Sequence, residues 1–237
     1  MRSAFPAFVA AIVGLLAVSD ASFAVDEGAG EMQSSEPAET SAETPSGTEK
    51  PRELTPEELA EKEARKACKK RICDIIATRD PVGEDVSCDI VKTWREEDIV
   101  KMLGGRIGWP WGKAVCRSRL EVKRKDLALA MSAPDYEMVM PSQKVRCTLD
   151  QKEGGEPYAI EVTLAPKAKF ANGKATEASI NWGEATAPMF IYPLIYAGTG
   201  LDNSANVLGS QVVRMINEFT TKKCTDIKAE LPAADPN

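Results

Sequence analysis

The cysteines constrain this chain most. Six of them, Cys68, Cys73, Cys88, Cys116, Cys147 and Cys224, lie among 237 residues that include no histidine. Whether such cysteines are free thiols, metal ligands or bridges depends on the compartment, and the N-terminus indicates export. Arg2 gives a positive start, Ala7 to Val18 is an uncharged apolar run, and Ser22 and Ala24 put small residues at a cleavage point. That run is about 12 residues against the roughly 20 needed to cross a bilayer, so residues 1–24 read as a cleaved signal peptide. Elsewhere no stretch is apolar for long enough to give a transmembrane span. In an oxidising destination an even set of six becomes a framework of three disulfides. The bacterial periplasm is the expected location, with the extracellular space as the alternative.

No Cys-x-x-Cys pair is present. Cys68 and Cys73 are five apart, which on a helix turns them about 140° from each other and suits neither a redox pair nor a zinc knuckle. Fifteen connectivities remain, and two compete for Cys116. It can bond Cys88, clamping a helix to a strand, or Cys147, on the same apolar face of a neighbouring strand. The unit from Cys88 through an amphipathic segment and Leu103-Gly104-Gly105 to Cys116 resembles a pattern common in small exported bacterial domains. That resemblance implies Cys88 with Cys116, leaving Cys147 or Cys73 to meet Cys224.

Composition separates a tail from a fold. Residues 25–54 are rich in Glu, Ser, Thr and Pro and almost without large apolar side chains, a composition that stays disordered because it cannot offset the entropy of ordering. Residues 25–58 hold ten carboxylates against Lys50 and Arg52, whereas from Leu59 onward 27 basic residues face 25 acidic ones. The chain's net charge of -6 therefore resides in the tail, and nucleic acid is not an expected partner of the near-neutral remainder. A single domain is expected over 55–230, with a flexible end at 231–237.

The domain starts at a marked helix: Thr55 and Glu58 have capping-box spacing, Pro56 takes the first helical position, and Leu54 can staple onto Leu59. A helix to about Ala77 follows. A second is expected from Asp89 to Leu103. Then alternation of apolar and polar residues marks strands at 116–123, 145–149 and 158–164, with a short one at 136–140 and a helix at 124–132 between the first two. Asn172-Gly173 is the strongest hairpin signal. A final helix is expected from Asp202 to Thr221, with Cys224 beyond it. Strands in the middle with helices before and after give an α+β fold: an antiparallel meander of four or five strands packed against N- and C-terminal helices and held by disulfides.

Catalytic signatures are lacking. Without histidine there is no imidazole-activated nucleophile, no histidine-ligated zinc and no histidine-ligated haem. Gly-x-Ser-x-Gly, Ser-x-x-Lys and phosphate-loop motifs are missing, and Asp202, Ser204 and Asn206 begin a calcium loop that lacks its glycine and closing glutamate. No enzyme activity, cofactor or metal is expected. Trp109 and Trp111 beside Arg106 are candidates for a binding platform, although buried indoles are the commoner outcome. Arg117 and Arg119, with Lys123, Arg124 and Lys125, form a basic row suited to an anionic envelope component, or simply a solvated strand face. Pro188 to Tyr196 is crowded with apolar side chains and is expected to pack into the core. Two roles fit: an interaction or scaffold protein of the cell envelope, meeting an envelope protein or anionic component, or a carrier for a small apolar or anionic ligand.

Overall fold

A computed structural model describes residues 53–102 and 108–229. Residues 1–52, where a signal peptide and a disordered acidic tail are expected, the segment 103–107 and the C-terminus from Glu230 lie outside the described residues.

The helix start after Leu54 is present as expected. Thr55 Oγ1 accepts from the Glu58 amide at 3.2 Å, and Glu58 Oε2 accepts from the Thr55 amide at 2.8 Å, closing the capping box. The helix, α1, covers Pro56–Thr78; the Arg79 amide closes its last turn on the Ile75 carbonyl at 2.8 Å, and the left-handed φ of 54° at Arg79 then turns the chain out of the helix.

The segment expected to be a second helix is divided. Val86–Trp94 is a strand, β1, and only Glu96–Met102 is helical, α2. Val86, Cys88 and Ile90 alternate, and Val86, Ile90, Val91 and Thr93 are β-branched, so a period of two competes with the helical one. Pairing decides between them, because β1 lies antiparallel to β2 (Ala114–Val122) over its full length, from Val86 opposite Val122 to Trp94 opposite Ala114. The other side of β1 is an edge, and α1 satisfies it. Arg65 donates to the Val91 carbonyl at 2.6 Å, Arg71 to the Ser87 carbonyl at 3.2 Å, and Glu61 accepts from the Thr93 amide at 2.8 Å. An edge so covered offers no template for another chain.

After β2 come α3 (Arg124–Ser132), β3 (Asp135–Val139), β4 (Gln143–Leu149), β5 (Tyr158–Leu164), β6 (Lys167–Ala171), β7 (Lys174–Ser179) and β8 (Trp182–Thr186). These strands form two antiparallel sheets, ordered β1-β2-β4-β5-β8 and β3-β6-β7. The α+β class and an antiparallel sheet of five strands are as expected, and the second sheet adds three more strands among the described residues. The β6–β7 hairpin turns on Asn172 and Gly173, both at positive φ (51° and 79°), as its sequence signal requires.

The C-terminal region is α4 (Tyr192–Ala205), α5 (Gly209–Glu218), a π-helical turn (Phe219–Lys223) and α6 (Cys224–Ala229). A single helix over 202–221 is thus replaced by two, broken where Asn206 adopts φ 46° and donates from Nδ2 to the Ala178 carbonyl at 2.9 Å. The break docks the start of α5 on β7: a Cβ on Gly209 would lie 2.6 Å from that same carbonyl.

All six cysteines are bridged, as Cys68–Cys88, Cys73–Cys224 and Cys116–Cys147. The Cys88–Cys116 bridge implied by resemblance is therefore corrected. Cys88 faces Leu120 across the β1–β2 ladder while Cys116 faces Lys92, four positions along. At about 3.4 Å per residue that offset is beyond the roughly 7 Å that a disulfide spans. Cys116 instead lies opposite Cys147 in the β2–β4 register. Of the two partners offered for Cys224, Cys73 is the one used, and the divergence of Cys68 and Cys73 on α1 sends their bridges to different elements.

Two clusters form the core. Cys116, Cys147, Val145, Ile160, Val162, Trp182, Ile191 and Ile195 belong to the first, while Ile75, Ile90, Leu120, Leu127, Met131 and Phe170 belong to the second. Strand β2 contributes to both, Ala114 and Cys116 to one and Leu120 and Val122 to the other.

Candidate functional site

The second cluster is not filled. Between α1, α3, α5 and the two sheets lies a cavity of about 210 Å³. Leu120 and Val122 from β2, Met138 from β3 and Ala168 and Phe170 from β6 form its floor and walls. Over it lie Ile72 and Ile76 of α1 and Val212, Met215 and Ile216 of α5, all only half-buried. Helix α5 shows why space remains. Its apolar residues recur at helical spacing on one face and pack against the core, yet Gly209 alone is fully buried, and Val212, Met215 and Ile216 keep part of their surface at the cavity. The charged lining residues are Lys69, Lys167, Glu218 and Lys223, three cations to one carboxylate. Lys167 is held by Glu137 at 3.0 Å, with both side chains well exposed. Beside the cavity, Tyr136 donates to Asp126 Oδ1 at 2.8 Å, and burial together with that carboxylate pushes its hydroxyl up to about 12. It stays a neutral donor at any ordinary pH.

A second, polar cleft of about 220 Å³ lies where α1 meets the end of β1. Its groups are committed to structure. Glu58 takes Arg95 in a two-pronged pair, Nε on Oε1 at 2.6 Å and Nη2 on Oε2, and this pairing with the Thr55 amide holds its carboxyl down at about 2. Glu61 is likewise occupied by the Thr93 amide and hydroxyl.

The residues singled out in the sequence do not converge. Arg106 lies outside the described residues. Trp109 is buried in the first core cluster and donates from Nε1 to the Gly112 carbonyl at 2.8 Å. Trp111 is half-buried, edge-on to Trp109 at 4.8 Å and stacked with Phe190 at 6.5 Å. Because Cys116 turns inward with Trp109, the alternation of β2 puts Arg117 and Arg119 on the opposite face of the sheet. There Arg119 bonds Ser87 Oγ at 3.2 Å and Glu121 at 3.3 Å, Arg117 faces Arg146 across the ladder, and Arg146 pairs with Glu161 at 2.5 Å. Arg124 donates to the Asp80 carbonyl. The basic row is thus interleaved with acceptors and forms no concentrated cationic patch. All six cysteines are structural bridges.

Pro188 to Tyr196 corrects a further expectation. Ile191 and Ile195 enter the core, but Met189, Phe190 and Tyr196 are 91%, 59% and 66% exposed, and Tyr192 and Leu194 are exposed as well. Residues four apart share one face of a helix, so a core approached from one side can take only that pair.

The cavity lies between the sheets and a C-terminal helix, where a carrier would hold its ligand, but the residues that line it come from separate helices and strands and carry no common sequence signal. Among the described residues no group of three or more His, Cys, Asp or Glu is placed to hold a metal ion, and no helix is long and apolar enough to cross a membrane. The chain matches no protein-family model, no curated protein and no solved structure.

Proposed function

We propose that this protein is an exported, non-enzymatic carrier that binds a small amphiphile in the cavity under α5. The single observation that carries the reading is an apolar space roofed by a helix whose own apolar face is left half-covered. Sites for drug-sized ligands run to about 300–1,000 Å³, whereas a cavity of about 150 Å³ takes benzene. At about 210 Å³ this one suits an apolar portion of about eight heavy atoms, scaled from that comparison. Lys223 at the lining can meet an anionic end, so a medium-chain carboxylate is the ligand class. Three disulfides support an oxidising, periplasmic destination.

Octanoate is the probe for the test. Displacement of a fluorescent naphthalene sulfonate from the full chain should occur with octanoate, more weakly with octanol, and not in an Ile216→Trp variant that keeps its near-ultraviolet circular dichroism. Equal displacement from wild type and variant, or no uptake of either molecule, removes the carrier reading and leaves the scaffold role.

A further inference from the structure

The exposed apolar face at the start of α4 is unlike the rest of the surface. Between Glu184 and Arg214 the only charged residue is Asp202, and it is buried, with Oδ2 accepting from Trp182 Nε1 at 2.9 Å and Oδ1 from the Leu208 amide at 2.9 Å. No charge from this stretch therefore reaches solvent. What does reach it is Met189, Phe190, Leu194 and two tyrosines, Tyr192 and Tyr196, whose rings lie nearly parallel at 6.1 Å. Phe190 is braced from behind, edge-on to Tyr158 at 4.9 Å and stacked on Trp111, so the face is held rigid rather than free to fold inward. The neighbouring lysines are compensated: Lys113, two residues beyond Trp111, pairs with Asp150 at 3.8 Å, and Lys152 pairs with Glu96 at 2.5 Å.

We propose that this face docks on the interfacial zone of a lipid bilayer, by apolar insertion and without electrostatic attraction. The charge pattern selects that partner. The charged neighbours are internally paired, as Lys113 with Asp150 and Lys152 with Glu96, so the face offers a protein partner no free charge to fix its register. Binding to an anionic headgroup surface needs lysine or arginine on the polar side of the helix, and α4 has none. An interfacial zone matches both features, because it accepts apolar side chains beside tyrosine and tryptophan rings whose polar edges stay at headgroup level. Met189 and Phe190 are the inserting tip, and Tyr192 and Tyr196 mark the depth.

Flotation with phosphatidylcholine vesicles, with and without phosphatidylglycerol, at low salt and at high salt, tests this. The full chain is compared with the same chain carrying Phe190→Ser and Tyr196→Ser, so that any N-terminal apolar segment is common to both. Wild type should float with both vesicle types at both salt levels. The variant should lose on the order of tenfold in partition, as expected for withdrawing two part-buried aromatic side chains from an apolar phase. Because Phe190 and Tyr196 give up ring contacts with Trp111, Tyr158 and Tyr192, the variant should melt slightly lower while keeping the far-ultraviolet circular dichroism of wild type. Three results overturn the proposal: flotation that the variant retains, flotation confined to phosphatidylglycerol vesicles and abolished by salt, or a sedimentation dimer of the wild type that the variant loses. Octanoate binding is read separately and is expected to be the same in both proteins.

Discussion

Cys116 and Cys147 stand directly opposite each other on β2 and β4, with Cα atoms 4.0 Å apart, and their bridge lies buried among the apolar side chains of the first core cluster. It fastens two strands that are already hydrogen-bonded neighbours. The Cys73–Cys224 bridge does something different, joining α1 to the last helix across 151 residues of chain.

That contrast gives a ranking. By loop-closure entropy the bridge closing 151 residues contributes about 5 kcal/mol and those closing 20 and 31 residues about 3 to 4 kcal/mol, before any native-state strain. The paired substitution Cys73→Ser with Cys224→Ser should therefore lower the denaturant midpoint more than either other pair of substitutions. A non-reducing peptide map of the wild type should recover all three linkages, and recovery of Cys88 linked to Cys116 would contradict the register.

Acid should weaken the anchoring of α1. Glu58 is held at about 2 in the fold by Arg95, against 4.5 as its ordinary value, so the folded state favours its charged form. The stabilisation is present above about pH 4.5 and is lost as pH falls toward 2. In melts followed from pH 6 downward, Glu58→Gln should begin below wild type, and the two curves should converge at the acid end. A gap that stays constant would exclude the linkage.

Asp202 accepts from two donors, Trp182 Nε1 and the Leu208 amide, and the methyl group of an alanine accepts from neither. Asp202→Ala should cost about 2 to 4 kcal/mol, the penalty for stranding the Trp182 indole and the Leu208 amide. Urea unfolding measures it, and tryptophan emission should shift in the native state as well, because Trp182 loses its bond.

The hairpin of β6 and β7 is tied to α3. A Cβ on Gly173 would lie 3.2 Å from the Met131 carbonyl at a φ of 79°, so both space and backbone oppose a side chain. Gly173→Ala should destabilise by about 1 to 2 kcal/mol. Gly154, also at positive φ but with open space around it, should cost less on the same change; equal effects would show that contact with α3 contributes nothing.

Much of the fold was legible because its signals were local. The capping box of Thr55 and Glu58, the helix Arg124–Ser132, the alternation of β2, β4 and β5 and the turn at Asn172-Gly173 each rest on residues within a few positions of one another. Such signals fix backbone conformation wherever the segment ends up. Val86–Trp94 was misread because its apolar spacing satisfies two periods, and only the partner strand selects one of them.

What the sequence determined by itself is the class of the fold, the start of its first helix and the removal of histidine chemistry. Which cysteine meets which depended on register, a property of strand pairs and not of single segments. The cavity belongs to tertiary structure alone, since residues from α1, α3, α5 and both sheets line it, and no local pattern records which side chains of separate elements meet. The same holds for Pro188 to Tyr196. Its composition promised burial, but a helix seated on a sheet has one inward face, and once Ile191 and Ile195 occupied it, Met189, Phe190 and Tyr196 were left to the solvent.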